Sequence, residues 1–264
     1  MKRFESLAQI YENSTSTYSS LKANMTADGR GGYTYREFKS TCDEISDLLS
    51  SYGINSGDKV ALYSGSTPNW SIAFFATTAF GRVSVPILPD FSENEVTNVL
   101  THSESKALFV SERLLPRICE ECRNKLKVII DITTLKPIYC EGKVVEPIAR
   151  GSESAELTEP NAHSLAAIIY TSGTTGKAKG VMLSHENFTS NIWGAYNFYK
   201  VHSDDVFLSI LPLAHTYELS IGLLYPFAYG ACVVYMDKKP TPSALKAALP
   251  MVRPTVMLTV PLIM

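Results

Sequence analysis

The chain has 264 residues, of which 45% are hydrophobic and 19% are charged, a balance typical of a globular protein and too apolar for a disordered one. Its 24 basic and 26 acidic residues give a net charge of −2, which argues against a broad basic surface for nucleic acid. Five scattered cysteines do not form the even-numbered disulfide framework of a small secreted protein.

Caps and apolar spacing predict the first helix that the sequence marks clearly. Thr34 and Glu37 fit a capping box, and apolar residues recur behind them at helical spacing as far as Tyr52. Gly53 is placed to end this helix, because glycine readily adopts the left-handed conformation that closes helices.

The chain then alternates short apolar runs with helical patterns up to residue 130. Ser92 and Glu95 form a second capping box before one of these helices. The predicted elements are a strand at 60–63, a helix at 69–80, a strand at 83–88, a helix after Ser92, a strand at 107–110, a helix at 112–125 and a strand at 127–130. Apolar strands separated by helices predict an α/β fold with layered, mainly parallel β-sheets covered by helices.

Cys119 and Cys122 form a C-x-x-C pair inside the predicted helix at 112–125. Such a pair is compatible with metal binding or redox chemistry, but a second close pair is lacking. We therefore interpret these residues as two thiols on one helix face and predict no metal ligands in the chain.

Between residues 133 and 161 the sequence becomes rich in proline, glycine and acidic residues, which predicts a surface connection with at most a short hairpin. A boundary between two subdomains, residues 1–160 and 161–264, is expected here. The βα pattern starts again with an apolar run at 165–170.

A charge-free stretch at 219–236 is the most membrane-like part of the chain. It contains Gly222, Pro226 and Gly230, so we interpret it as a buried helix followed by a buried strand. The first twenty residues are polar and lack an apolar signal core, and a cytoplasmic location is predicted.

The segment Thr171-Ser172-Gly173-Thr174-Thr175-Gly176-Lys177-Ala178-Lys179-Gly180 carries the chemistry of the sequence. Its ten residues include three glycines, four hydroxyl side chains and two lysines. Glycines let backbone N–H groups approach an anion, hydroxyls add neutral donors, and lysine adds a mobile positive charge. This combination suits a polyphosphate. By composition alone, a flexible Ser/Gly hairpin is the alternative interpretation.

The spacing excludes two common phosphate loops. A Walker A loop needs G-K-[ST] five residues after its first glycine, but Ala178 stands five residues after Gly173. The G-x-G-x-x-G dinucleotide pattern is not present in the loop either.

The ordered string from Tyr170 to Gly180 resembles the T-S-G-T-T-G-x-P-K-G signature of the adenylate-forming superfamily, which includes acyl-CoA synthetases, luciferases and peptide-synthetase adenylation domains. Nine of the ten signature positions match, counting the free one, and Ala178 stands where the family usually has proline. The segment from Leu211 to His215 resembles the next signature of the family. The likeness covers most of the chain after about residue 30.

The resemblance implies that the chain is part of the N-terminal, AMP-binding domain of the adenylate-forming fold. It assigns the β- and γ-phosphates of ATP to Thr171, Ser172, Gly173, Thr174, Thr175, Gly176 and Lys179. In this family a carboxylate attacks the α-phosphorus of ATP and pyrophosphate leaves, after which the thiol of coenzyme A attacks the acyl-AMP. ATP, Mg²⁺ and coenzyme A are the implied cofactor and co-substrates.

His215 is the candidate catalytic residue, because relatives place an aromatic residue or histidine here that shifts between the two half-reactions. A buried, hydrogen-bonded histidine is the alternative. Glu218 follows one helical turn later and is a candidate substrate residue that either orients His215 or packs near the acyl group. His185, beside the expected helix cap Ser184, is interpreted as packing at a helix start.

The segment from Leu211 to Glu218 also limits the class of carboxylate that is expected as the substrate. Amino-acid-activating relatives usually carry an aspartate just after the proline, and this chain has none there. The form P-L-x-H-x-Y-E resembles the long-chain fatty acyl-CoA synthetase branch. Apolar residues further on are compatible with an acyl tunnel or with plain core: Ile221, Leu223, Leu224 and Phe227.

Family segments that hold Mg²⁺ and ribose, and the C-terminal domain with its catalytic lysine, are not found in the sequence. We therefore expect a fragment that is inactive by itself. Transfer to a carrier protein instead of coenzyme A, and a non-catalytic nucleotide-binding module, remain open alternatives. Small molecules are the expected partners, without nucleic acid. A lipid substrate is compatible with peripheral membrane contact, and the sequence leaves the oligomeric state open.

Overall fold

The computed structural model describes residues 3–146, 151–171, 179–236 and 240–260. The helices are α1 (Leu7–Thr17), α2 (Tyr35–Ser51), α3 (Pro68–Thr78), α4 (Glu93–Ser103), α5 (Glu120–Lys125), α6 (His185–Phe198), a π-helix (Glu218–Leu224), α7 (Tyr225–Ala228) and α8 (Pro242–Val252). The strands are β1 (Lys22–Thr26), β2 (Gly32–Thr34), β3 (Lys59–Tyr63), β4 (Val83–Ile87), β5 (Ala107–Val110), β6 (Val128–Asp131), β7 (Lys136–Cys140), β8 (Lys143–Val144), β9 (Leu165–Thr171), β10 (Lys179–Ser184), β11 (Val206–Ser209), β12 (Cys232–Tyr235) and β13 (Val256–Met257).

The strands form two sheets. An eight-stranded sheet has the order β10-β9-β4-β3-β5-β6-β7-β8, and a five-stranded sheet has the order β13-β11-β12-β1-β2. The centres of both sheets are parallel, and antiparallel pairs occur at the edges, where β10 joins β9, β7 joins β6, β8 joins β7 and β2 joins β1. The predicted α/β fold with mainly parallel sheets is confirmed.

Helix α3 lies in the apolar core and contacts strands of both sheets, including β1 and β4. Every residue of α3 except Asn69 is buried, because this helix is apolar around almost its whole circumference. Its Phe75 ring stacks on Phe227 of α7, with 4.4 Å between ring centroids. The core therefore joins the two sheets through one buried helix.

Both predicted capping boxes are confirmed. The Thr34 side chain accepts the Glu37 N–H at the start of α2, and Ser92 accepts the Glu95 N–H at the start of α4. Gly53 follows α2 with φ of +63°, which is the left-handed conformation expected after a helix.

The predicted helix at 112–125 is wrong in its first half. Leu115–Arg117 form one 3₁₀ turn, Ile118 and Cys119 are extended, and α5 begins only at Glu120. Pro116 has no N–H to donate, so an α-helix cannot continue through it with full hydrogen bonding.

Three elements near the start of the chain were not predicted from the sequence. In α1 the Ser6 side chain caps the helix, and its buried face combines Leu7, Ile10 and Tyr11 with polar residues. Strands β1 and β2 follow it and complete the five-stranded sheet.

The stretch at 219–236 forms most of the π-helix, then α7 and β12, which confirms the predicted buried helix and strand. Within the described part of the chain, no helix combines the length and the apolar character that crossing a bilayer requires. The segment after residue 133 contains the predicted short hairpin, formed by β7 and β8, but β7 also pairs with β6 and so extends the eight-stranded sheet, which was not predicted. Each sheet takes strands from both sides of residue 160, so the predicted division into 1–160 and 161–264 does not coincide with the division between sheets.

Candidate nucleotide site

Strands β9 and β10 pair antiparallel, and the Ser/Thr/Gly segment connects them in the sequence. Lys179 pairs with Thr171, and Gly180 pairs with Tyr170 in this hairpin. Five predicted phosphate-binding residues lie outside the described residues: Ser172, Gly173, Thr174, Thr175 and Gly176. The structure therefore brings the first and last members of the predicted set, Thr171 and Lys179, opposite each other across two strands.

Both of these end residues are exposed, and among the residues that the structure describes Lys179 forms no ion pair. Strand β9 runs parallel to β4, and β4 runs parallel to β3, so Thr171 ends its strand at the same sheet edge as the ends of β3 and β4. Ligands of open α/β sheets bind outside the carboxyl ends of the strands. The lysine ammonium is thus available to an anion at the expected edge.

An aromatic side chain packs against the hairpin at the end next to the loop. Tyr170 is 4% exposed, and its ring lies against Gly180, where an added Cβ would be 3.1 Å from Cζ of the ring. The Tyr170 hydroxyl lies 2.7 Å from Nδ1 of His102, at the end of α4. Sequence reasoning missed this contact, because the two residues are 68 positions apart and no local pattern joins them.

The second signature segment follows β11 and is tied to the first sheet by one serine. Ser66, in the loop after β3, accepts a hydrogen bond from the Leu213 N–H at 3.0 Å and donates one to the Leu211 carbonyl at 3.4 Å. Because the β3 loop lies at the carboxyl edge of the eight-stranded sheet, this pair of bonds brings the His215 segment to that edge.

His215 is exposed, unlike the buried histidine considered as an alternative. Its Nδ1 accepts a 3.4 Å hydrogen bond from the Tyr217 N–H, and its carbonyl accepts the Leu219 N–H at 3.0 Å. The imidazole is therefore oriented by a backbone N–H just before the π-helix, and it is exposed to solvent.

Glu218 is 1% exposed and begins the π-helix. Its carboxylate folds over Gly222, since an added Cβ there would lie 2.6 Å from the carboxylate carbon. Burial raises the pKa of Glu218 to about 7, and the nearby Ser209 hydroxyl partly offsets this rise. The Ser209 geometry falls short of a hydrogen bond, so within the described structure neither carboxylate oxygen has a hydrogen-bonding partner. No bond joins Glu218 to His215 among the described residues.

His185 begins α6 and is completely buried. Its Nδ1 accepts a 3.0 Å hydrogen bond from the Leu7 N–H, which is an otherwise unpaired donor at the start of α1. Burial lowers the pKa of His185 to about 4, so the imidazole is neutral. This arrangement agrees with the predicted packing role, and it also joins the first helix to α6.

The C-x-x-C pair is divided between surface and core. Cys119 is exposed as the cap residue of α5, whereas Cys122 is buried and burial raises its pKa to about 11. Among the residues with described positions, no cluster of three or more His, Cys, Asp or Glu side chains could hold a metal ion.

Comparison with known proteins gives a consistent result. The family described as AMP-binding enzyme matches residues 10–264. Fatty acyl-CoA synthetase A of Dictyostelium discoideum is 29% identical over 84% of this chain, and the medium-chain fatty-acid–CoA ligase of Escherichia coli K12 is 29% identical over 86%. The chain spans 36% and 41% of the lengths of these two proteins.

A solved structure shares the fold. The inhibitor-bound N-terminal domain of FACL13 from Mycobacterium tuberculosis superposes with a TM-score of 0.82 at 20% identity. The match covers 98% of this chain and 64% of that one. The layered sheets and helices described above are therefore those of a known domain type.

Proposed function

We propose a function on the basis that this chain belongs to the AMP-binding enzyme family. It supplies the nucleotide-binding part of a ligase that joins a carboxylate to AMP from ATP. The position of Lys179 opposite Thr171, exposed at the carboxyl edge of a mainly parallel sheet, is the observation that carries this proposal. A mobile ammonium and a hydroxyl at the two ends of a glycine-rich loop suit a triphosphate tail.

In the proposed first step, a carboxylate oxygen attacks the α-phosphorus and the bond to the bridging oxygen of pyrophosphate breaks. Negative charge grows on the phosphate oxygens, so fixed donors lower the barrier more than they stabilise bound ATP. Lys179 and Thr171 are the proposed donors from the described residues. Ser172, Gly173, Thr174, Thr175 and Gly176 are proposed to contribute backbone and hydroxyl donors between them.

In the proposed second step, the thiol sulfur of coenzyme A attacks the acyl carbonyl and AMP leaves. His215 is the proposed catalytic residue that changes position between the two steps. Its exposure and the attachment of its segment to the sheet edge through Ser66 support this role. Transfer to a carrier protein is the alternative that differs only in the thiol.

The proposed carboxylate is a long-chain fatty acid. The names of the Dictyostelium and Escherichia coli relatives support a fatty acid; the first name gives no chain length and the second says medium-chain. Glu218 is proposed to lie on the acyl side of the site. The fold of its carboxylate over Gly222 supports this position better than it supports orientation of His215.

Mg²⁺ is proposed to arrive with the triphosphate, whose charge it would neutralise, and the described residues offer no cluster of ligands for it. Because the chain spans 36% of the Dictyostelium relative, we propose that turnover requires segments that this chain does not contain. A cytoplasmic location, contact with a membrane surface for the lipid substrate and the identity of further partners remain predictions from the sequence.

The direct test is a panel of carboxylates offered to the protein that carries this chain, with ATP and Mg²⁺, while pyrophosphate release is followed. We expect release to depend on a fatty acid and to be greatest with long chains, and coenzyme A to accelerate release of AMP. Carrier protein in place of coenzyme A tests the alternative acceptor. No carboxylate-dependent pyrophosphate release with any acid would contradict the ligase proposal and leave the binding-module alternative.

A further inference from the structure

Tyr170 is one of the residues through which the rest of the molecule contacts the hairpin of β9 and β10. It directly precedes Thr171, and it pairs with Gly180, the neighbour of Lys179. Its ring fills the space above Gly180, since a Cβ there would be 3.1 Å and 3.3 Å from two ring atoms. The ring therefore lies next to both described ends of the predicted phosphate-binding loop, where the Ile168 side chain also packs against Gly180.

The ring is held from outside the hairpin by His102. The Tyr170 hydroxyl and His102 Nδ1 are 2.7 Å apart, and the two rings meet edge to face at 90° with centroids 5.8 Å apart. The hydroxyl donates to Nδ1 when that nitrogen carries no proton and accepts from it otherwise.

His102 sits on a helix that is itself firmly placed. A capping box fixes the start of α4, and Val96, Val99 and Leu100 are buried in the same apolar cluster as Tyr170. The imidazole itself is exposed, so burial of apolar area does not explain its position. Its directed contact is with the phenol.

We propose that His102 is a positioning residue for nucleotide binding, which acts through the Tyr170 hydroxyl to fix the strand ends that carry Thr171 and Lys179. This inference rests on the proposed function of the hairpin. Displacement of a phosphate-binding group by a fraction of an ångström weakens the ATP complex without altering the carboxylate site.

The test is a double-mutant cycle in the protein that carries this chain, with His102→Ala, Tyr170→Phe and the double variant. We expect each single variant to raise KM for ATP by about 2- to 10-fold, the size expected for one hydrogen bond. The KM for the carboxylate should stay unchanged. In the double variant the rise should equal that of one single variant, because the second change removes a bond that is already lost.

Two controls separate positioning from general damage. His102→Asn keeps a polar atom near the place of Nδ1 and should restore part of the ATP affinity. Asn98→Ala, on the exposed face of the same helix, should behave as the parent protein. Thermal unfolding of every variant identifies loss of stability. Equal ATP KM for His102→Ala and Asn98→Ala, or effects that simply add in the double variant, would overturn the inference.

Amide hydrogen exchange gives a readout that needs no turnover. Exchange at Lys179 and Gly180 should be faster in His102→Ala than in Asn98→Ala, because the hairpin end opens more often. If the parent protein activates no carboxylate, the proposed function fails, and this comparison still decides whether His102 fixes the hairpin. Equal exchange in the two variants would contradict the inference.

Discussion

At the scale of single residues, His185 shows how burial can give a histidine a structural role. Its Nδ1 accepts the Leu7 N–H, and burial lowers its pKa to about 4 from an ordinary value of 6.5. The folded state therefore favours the neutral imidazole. The stability that this preference contributes is complete above pH 6.5 and is lost as the pH falls through 4.

We expect His185→Asn, which keeps an acceptor near the place of Nδ1 but cannot ionise, to lose less stability in acid than the parent protein. The fall in the pKa of His185 from 6.5 to about 4 corresponds to about 3 kcal/mol of unfolding free energy. Denaturant unfolding at pH 7 and at pH 4 measures the change. His202→Asn, at an exposed histidine, is the control. The same pH dependence for both variants would show that His185 is not the group responsible.

The family signature from Thr171 to Gly180, to which we assign phosphate binding, could be recognised from the sequence because its chemistry and order lie in one continuous segment. His102 could not, since its contact with Tyr170 joins α4 to β9 and depends on tertiary packing. The burial of Glu218 was also beyond local reasoning, as its carboxylate is folded back over Gly222 within the π-helix.

At the scale of elements, the π-helix at Glu218–Leu224 places a carboxyl group where water does not reach it. π-Helical turns are rare and are frequently found at functional sites. The pKa of Glu218 is raised by burial to about 7 from 4.5. The folded state thus favours the protonated form, and this contribution to stability is complete below pH 4.5 and is lost as the pH rises through 7.

Replacing Glu218 by glutamine removes the charge while keeping the shape, so the variant should gain stability over the parent as the pH rises. The expected gain between pH 4.5 and pH 8 is about 3 kcal/mol of unfolding free energy. Chemical unfolding at the two pH values tests it, with Glu112→Gln as an exposed control. A gain that is absent, or equal at both pH values, would mean that the carboxylate is not desolvated in the folded protein.

Helices α2 and α4 could be predicted, because their capping boxes and apolar spacing are local signals that lie within a few residues of each other. Helix α1 was not predicted, because its buried face includes Ser14 and Thr15, which do not add to an apolar pattern. The helix predicted at 112–125 overlooked Pro116, which ends regular hydrogen bonding there. The 3.6-residue spacing of apolar residues also does not distinguish a π-helix from an α-helix, so the π-helix after Tyr217 was not predicted.

At the scale of the whole molecule, the two sheets bring distant parts of the chain to one edge. The hairpin of β9 and β10 extends the eight-stranded sheet, and the His215 segment leaves the five-stranded sheet after β11. Ser66, in the loop after β3, joins the His215 segment to the eight-stranded sheet through its bonds to Leu211 and Leu213. The sequence predicts layered parallel sheets from its alternating pattern, but the order of strands depends on pairings such as β1 with β12 that cross more than 200 residues.

The proposed activity depends on Lys179 binding the phosphates of ATP. The most direct measurement is carboxylate-dependent exchange of pyrophosphate into ATP by Lys179→Ala, in the protein that carries this chain, beside Lys200→Ala at an exposed lysine after α6. We predict that exchange falls by about 10²- to 10³-fold in Lys179→Ala, as for the loss of one charge-stabilising donor, and is unchanged in Lys200→Ala. Equal exchange in the two variants would contradict a phosphate-binding role for Lys179.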